Sequence, residues 1–110
     1  MVIISTNTKT LSIRAEGHAN YSAKGQDIVC AAVSILLYAY AAELLRIGGG
    51  SEILDSGETF EIHPAGDDEE IMIAYETVMG GLKLLADEYE NNVCIKECNS
   101  EPASLTGQNL

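Results

Sequence analysis

Basic residues are scarce in this sequence. Its 110 residues hold six Lys and Arg against seventeen Asp and Glu, a formal net charge of −11. Nucleic-acid binding needs a basic patch to neutralise phosphate, and six scattered cations do not make one. Docking on an anionic membrane surface is disfavoured for the same reason. Cysteine occurs three times, as Cys30, Cys94 and Cys98, and an odd count is not a disulfide framework. No secretory leader is expected at the start, where Met1 to Ile4 run straight into Ser-Thr-Asn-Thr. The longest nearly apolar run, residues 28–42, is fifteen residues and is broken by Ser34 and two tyrosine hydroxyls. A membrane span needs about twenty. These absences together point to a reducing, cytoplasmic location. Also missing are a Walker A loop, a G-x-G-x-x-G turn and a C-x-x-C redox pair. Leu36 stands six residues after Cys30, so the C-x5-R loop of tyrosine phosphatases is absent too.

What remains is an ordinary globular composition, 46% apolar, in a length that suits one domain. Val2 to Ser5 reads as a short strand. Residues 11–16 alternate, with Leu11, Ile13 and Ala15 on one face and Ser12, Arg14 and Glu16 on the other, which predicts a half-buried strand antiparallel to the first. Asp27 is a good N-cap for a helix to about Ile47, stopped by Gly48-Gly49-Gly50. This helix is apolar almost all round until Glu43, so cover on more than one side is expected, from the sheet and from a second subunit. Residues 52–55 and 59–63 form a hairpin about Ser56-Gly57. A second helix, 69–89, carries Ile71, Tyr75, Val78, Leu82, Leu85 and Tyr89 on one stripe, and its Gly80-Gly81 pair predicts a close approach by a neighbour. A last strand covers 93–97. The expected fold is α+β, a two-layer arrangement of one mixed sheet of about five short strands with two helices, in the order β-β-α-β-β-α-β. One domain spans 1–98, and the polar stretch 99–110 reads as a flexible tail.

Candidate nucleophiles are few. With Asp27 as N-cap, Cys30 falls in the first helical turn, where unpaired amides and the helix dipole favour an anion. A thiol in that place is partly thiolate at neutral pH; the competing reading is a small buried hydrophobe. His18 lies where a strand ends, next to Gly17. The end of a strand and the start of the following helix adjoin in α/β units, so His18 and Cys30 can meet and form the minimal thiol and acid–base pair. Amides near the helix start are expected to serve a tetrahedral oxyanion. Residues 19–26, with Tyr21, Lys24 and Gly25, are a lid candidate.

These residues carry a resemblance. Gly17-His18-Ala19, followed by Gly25-Gln26-Asp27-Ile28-Val29-Cys30-Ala31-Ala32-Val33-Ser34, resembles the pattern of the ribosomal-processing cysteine protease family (Prp), which is GHA, a short loop, then G-x-D-I-V-C-A-A-V-S. Every position of the pattern is matched, and the likeness in element order runs to about Val93. The resemblance implies a small homodimeric bacterial cysteine endopeptidase. Its substrate would be the precursor of the large-subunit ribosomal protein bL27, from which it removes an N-terminal extension. It further implies Cys30 as nucleophile and His18 as its partner.

Asp27, Ser34 and Gly17 are supporting candidates. Asp27 either caps the turn that presents Cys30 or orients His18, as a third member does in other triads. Ser34 sits one turn beyond Cys30, placed either to bond near the sulfur or as a small residue under a packed helix. An acidic protein also suits a basic ribosomal partner, although the same charge serves solubility. No cofactor and no metal are expected: Cys94 and Cys98 form a C-x3-C on a strand, and only His18 and His63 remain to complete a site. The role of Cys94 and Cys98 is left open. Two other readings stand beside the protease, a non-catalytic dimeric ribosome-binding module and another thiol-dependent acyl-transfer enzyme.

Overall fold

The computed structural model describes residues 1–23 and 25–99. The elements run β1 (Val2–Asn7), β2 (Ser12–Glu16), α1 (Ile28–Ile47), β3 (Glu52–Asp55), β4 (Thr59–His63), α2 (Glu69–Glu88) and β5 (Val93–Cys98). Order and type are those the periodicity predicts. The tail expected at 99–110 lies, apart from Asn99, outside the described residues.

The five strands form one mixed sheet in the order β3-β4-β2-β1-β5. β1 pairs antiparallel with β2 and parallel with β5, while β4 pairs antiparallel with both β2 and β3. β2 and β3 therefore run the same way with β4 between them, and α1 is the crossover joining them. α2 likewise joins the parallel pair β4 and β5. Such crossovers cannot be tight turns, because the chain must return to the starting end of the sheet.

Period-two alternation sorts the sheet faces. Val2, Ile4, Ile13, Ala15 and Ile62 are buried under the helices. On the opposite face Arg14 is paired with Glu61 across the β2–β4 ladder and with Glu16 along its own strand. The alternation predicts a strand from Leu11, and the structure starts β2 one residue later. Leu11 has a positive φ of 62° and closes the β1–β2 turn through its N–H to the Asn7 carbonyl. Its side chain is nevertheless buried, so the alternation holds although the ladder does not. The Tyr40 hydroxyl donates to the Leu11 carbonyl at 2.6 Å. Burial pushes this phenol far up, with Tyr75 adding to the shift. It stays neutral and donates, which is how an apolar helix accommodates it.

By length and composition α1 could cross a membrane, with 20 residues and a mean hydropathy of 2.1. Beyond the fifteen-residue run it carries Glu43 and Arg46, which pair one turn apart. Val29, Val33, Leu37, Tyr40, Ala41 and Leu44 are buried against the sheet and α2, the pattern of a core helix. A second stripe, Ile28, Ala31, Ile35, Tyr38, Ala42 and Leu45, is exposed. Its spacing of 3, 4, 3, 4, 3 places all six on one face. The glycine pair of α2 divides. A Cβ on Gly81 would lie 2.9 Å from a Leu36 methyl, whereas one on Gly80 would meet nothing within 4 Å. Only Gly81 marks the close approach to α1.

Candidate active site

The site forms where β2 ends and α1 begins. Gly17 turns the chain out of β2 with φ +88°, and a Cβ there would stand 2.5 Å from the Met1 carbonyl oxygen. Only glycine satisfies both conditions, so the residue before His18 is fixed by backbone geometry. His18 projects from this turn and is exposed, while Ala19 behind it is buried.

Asp27 caps α1. One carboxylate oxygen accepts from the Val29 and Cys30 amides at 3.0 and 2.9 Å. The other accepts from Tyr21 and Ser22 at 2.9 and 3.3 Å. The Cys30 amide bond is the main reason the Asp27 carboxyl is held below the usual carboxylate range. Desolvation works against it, and the bonds from Tyr21, Ser22 and Val29 add to it. Of the two roles open for Asp27 the geometry supplies the cap: among the described residues its bonding partners are backbone amides, and His18 is not one of them.

The same bonds change the expectation for the helix-start amides. Val29 and Cys30 donate to the Asp27 side chain and Ala31 to its carbonyl, so these amides are already engaged. The amide that faces the sulfur comes from the opposite side. Ala19 N–H donates to Cys30 Sγ at 3.2 Å.

Two hollows flank Cys30. One, of about 250 Å³, runs towards the β3–β4 hairpin over Val33, Leu37, Tyr38 and Phe60, with Asp55 and Glu58 at its rim. The other, of about 530 Å³, lies under the loop that precedes α1 and includes Asn20, Gly25 and Asp27. His18, Cys30 and Ser34 line both, and Gly17 lines the first. Cys94 and Cys98 line neither; they lie on β5, half-buried and exposed respectively. His63 is bonded to Glu61 at 2.9 Å on β4, away from both hollows.

The lid candidate is held at its first half. Tyr21 and Ser22 are bonded to Asp27, and the Tyr21 ring meets Tyr89 edge-on at 5.4 Å. Gly25 has φ +87° and lines the larger hollow, and Lys24 lies outside the described residues. Sequence reasoning missed the hairpin wall of Asp55, Glu58, Thr59 and Phe60. It also missed Asn92, whose amide donates to the Ala19 carbonyl at 2.8 Å. The hairpin motif was visible, and nothing in it says which way the hairpin leans.

The family model for cysteine protease Prp matches residues 1–94. The chain belongs to the Prp family of cysteine proteases. It is 29% identical over 91 residues to the ribosomal processing cysteine protease Prp of Bacillus subtilis, covering 76% of this chain and 81% of that protein. The Prp of Staphylococcus aureus is 23% identical over 96 residues, covering 84% and 91%. In fold the chain is similar to two crystal structures of an essential ribosomal processing protease Prp from S. aureus. One is in complex with a covalently linked product peptide, with a TM-score of 0.79, 22% identity, and 88% of this chain and 99% of that one covered. The other is in complex with a substrate peptide, with a TM-score of 0.73, 21% identity and the same coverage. The Prp resemblance of the motif is thus borne out over most of the chain, and the enzyme reading stands over the non-catalytic module.

Proposed function

We propose that Cys30 is the nucleophile and His18 its acid–base partner. The substrate in this reading is the N-terminal extension of a large-subunit ribosomal protein precursor, bL27, in the bacterial cytoplasm. One observation carries the assignment. A cysteine protease needs its thiol in a cleft beside a histidine, and Cys30, alone of the three cysteines, lines the hollows, sharing both with His18.

In this mechanism the Cys30 thiolate attacks the scissile carbonyl carbon, and the carbon–nitrogen bond breaks as protonated His18 delivers its proton to the leaving amine. The product is a thioester on Cys30. His18 then takes a proton from water, the hydroxide adds to the thioester, and the thiolate leaves. Gly17 fixes the turn that carries His18, Asp27 fixes the turn that carries Cys30, and Ser34 lines both hollows. The peptide lies across Cys30, with an apolar side chain over Tyr38 and Phe60 and its basic neighbours towards Asp55 and Glu58. The hinge for its entry and exit is at Gly25, since Tyr21 is anchored.

A homodimer is part of the proposal, supported by the exposed apolar stripe on α1; a monomeric mass in sedimentation at micromolar concentration contradicts it. The deciding experiment mixes the purified protein, and Cys30→Ala beside it, with the extended bL27 of the same genome and follows intact mass. A single truncation by the unsubstituted protein alone is expected. Truncation by both proteins removes Cys30 from the mechanism. No truncation by either moves the search to another substrate, including other thiol-dependent acyl transfers.

A further inference from the structure

The bonds around Cys30 continue beyond it. Ala19 uses both sides of its peptide environment: its N–H donates to Cys30 Sγ at 3.2 Å and its carbonyl accepts from Asn92 Nδ2 at 2.8 Å. Ala19 itself is 1% exposed, so its backbone groups have little water to turn to. Asn92 is in turn fixed in the turn between α2 and β5. Its N–H donates to the Tyr89 carbonyl and its carbonyl accepts from Val2 N–H at the start of β1. The Tyr89 side chain meets Tyr21, two residues beyond Ala19. The α2–β5 turn therefore grips the segment 19–21 at two points, one of which aims a backbone donor at the sulfur.

We infer that Asn92 is a positioning residue for the reaction: by holding the Ala19 carbonyl it keeps the Ala19 N–H directed at Cys30, where the donor stabilises the thiolate. A backbone amide aimed at an ionised acceptor gives a stronger bond than one aimed at the neutral form. The helix-start amides are occupied by Asp27, which leaves Ala19 as the amide bonded to the sulfur. The charged and titratable groups sharing the hollows with Cys30 are His18, Asp27, Tyr38, Asp55 and Glu58. Replacing Asn92 by a neutral residue changes none of them. The inference rests on Cys30 as nucleophile, but its test does not require proteolysis. Failure of cleavage and failure of the amide donor are therefore seen separately.

The test is the pH profile of Cys30 alkylation by iodoacetamide, read on the Cys30 peptide by mass spectrometry. Asn92→Leu and Asn92→Ala are compared with the unsubstituted protein and with Ile95→Ala, a packing change on β5. In the Asn92 variants alkylation at pH 7 is expected to slow by about threefold to tenfold, with the profile displaced upward by roughly half to one pH unit. Ile95→Ala lowers thermal stability and leaves the profile in place. An unmoved profile in folded Asn92 variants overturns the inference, and so does an equal displacement in Ile95→Ala. Should neither Asn92 variant fold, the unsubstituted protein decides by nuclear magnetic resonance. The Ala19 amide proton is expected to show a pH step that disappears in Cys30→Ala. An identical titration in both proteins overturns the inference.

Discussion

Both helices are 20 residues long and both begin after an aspartate, yet the two starts are built differently. Asp68 makes no side-chain bond to α2; Glu69 and Glu70 instead put negative charge in its first turn. That is the general solution, carboxylates near a helix N-terminus with no defined partner. The first turn of α1 has no acid in it; the Asp27 side chain caps it instead, accepting from Val29 and Cys30 in the helix and from Tyr21 and Ser22 in the loop before it. The difference follows from what each turn carries. In the proposed mechanism the first turn of α1 holds a thiolate, and the one carboxylate near it, Asp27, has both oxygens bonded to backbone amides. α2 carries no chemistry in its first turn and tolerates the looser arrangement.

The strongest way to break the comparison is to remove what the first turn of α1 presents. Cys30→Ala is expected to lower cleavage by on the order of a thousandfold or more while thermal unfolding stays near that of the parent. Thr77→Ala on α2, which loses only a bond to the Ile73 carbonyl, leaves cleavage unchanged in the same assay. Next come the caps. Asp27→Ala is expected to cost roughly 10–100-fold in cleavage, through misplacement of Cys30 and of the 19–22 segment together, whereas Asp68→Ala has no measurable effect on it. Asp27→Asn separates the two functions of the carboxylate. One oxygen still caps Val29 and Cys30, while the amide nitrogen faces the Tyr21 and Ser22 N–H groups and repels them. Limited proteolysis between residues 19 and 26 should then accelerate while the helix content by circular dichroism holds.

Acid gives a subtler contrast. The folded carboxyl of Asp27 is held below its ordinary value, chiefly by the Cys30 amide. The stability it supplies is full above the unfolded value, about 3.9, and is lost as pH falls through the lower folded one. Below about pH 4 the start of α1 should therefore loosen before α2 does, read as faster amide exchange at Val29 and Cys30. In Asp27→Asn that pH dependence should be gone. The smallest effect is within α2. Gly80→Ala is expected to stabilise by about 0.5–1 kcal/mol, the helix propensity difference, because its Cβ meets open space. Gly81→Ala must displace Leu36 and should forfeit that gain or fall to a net loss of about 1 kcal/mol in thermal or urea unfolding.

Much of this was legible in the residues. α1 was bounded because an Asp cap and three glycines are local signals, and the hairpin because Ser56-Gly57 permits one tight turn. His18 and Cys30 stood out through their fixed interval and the GHA pattern. The fold class followed from the order of periods. What escaped were contacts made through backbone. The Ala19 amide could have been any residue's, and its bond to Asn92 spans 73 positions. Periodicity reports the side a residue buries, and it is silent on which peptide group a distant side chain will hold. The second oxygen of Asp27 escaped for a similar reason, since the capping rule counts amides ahead in the helix and not those of the loop behind it. Leu11 shows the converse: a buried side chain at an alternating position reads as strand although its backbone is a turn.

The pairing of the first strand with the last has a consequence for how the enzyme comes into being. β1 lies between β2 and β5, and its far end is joined to β5 through Thr8 N–H and the Cys98 carbonyl. Such a contact carries the closure entropy of nearly the entire chain, which local contacts do not. During synthesis His18 and Cys30 leave the ribosome early, but Asn92 and the strand that seats it arrive some sixty residues after Cys30. Until they do, β1 lacks one neighbour and the Ala19 peptide lacks its clamp. In the mechanism proposed above, a nascent copy therefore carries its thiol and histidine before the Asn92 clamp on the Ala19 peptide is in place.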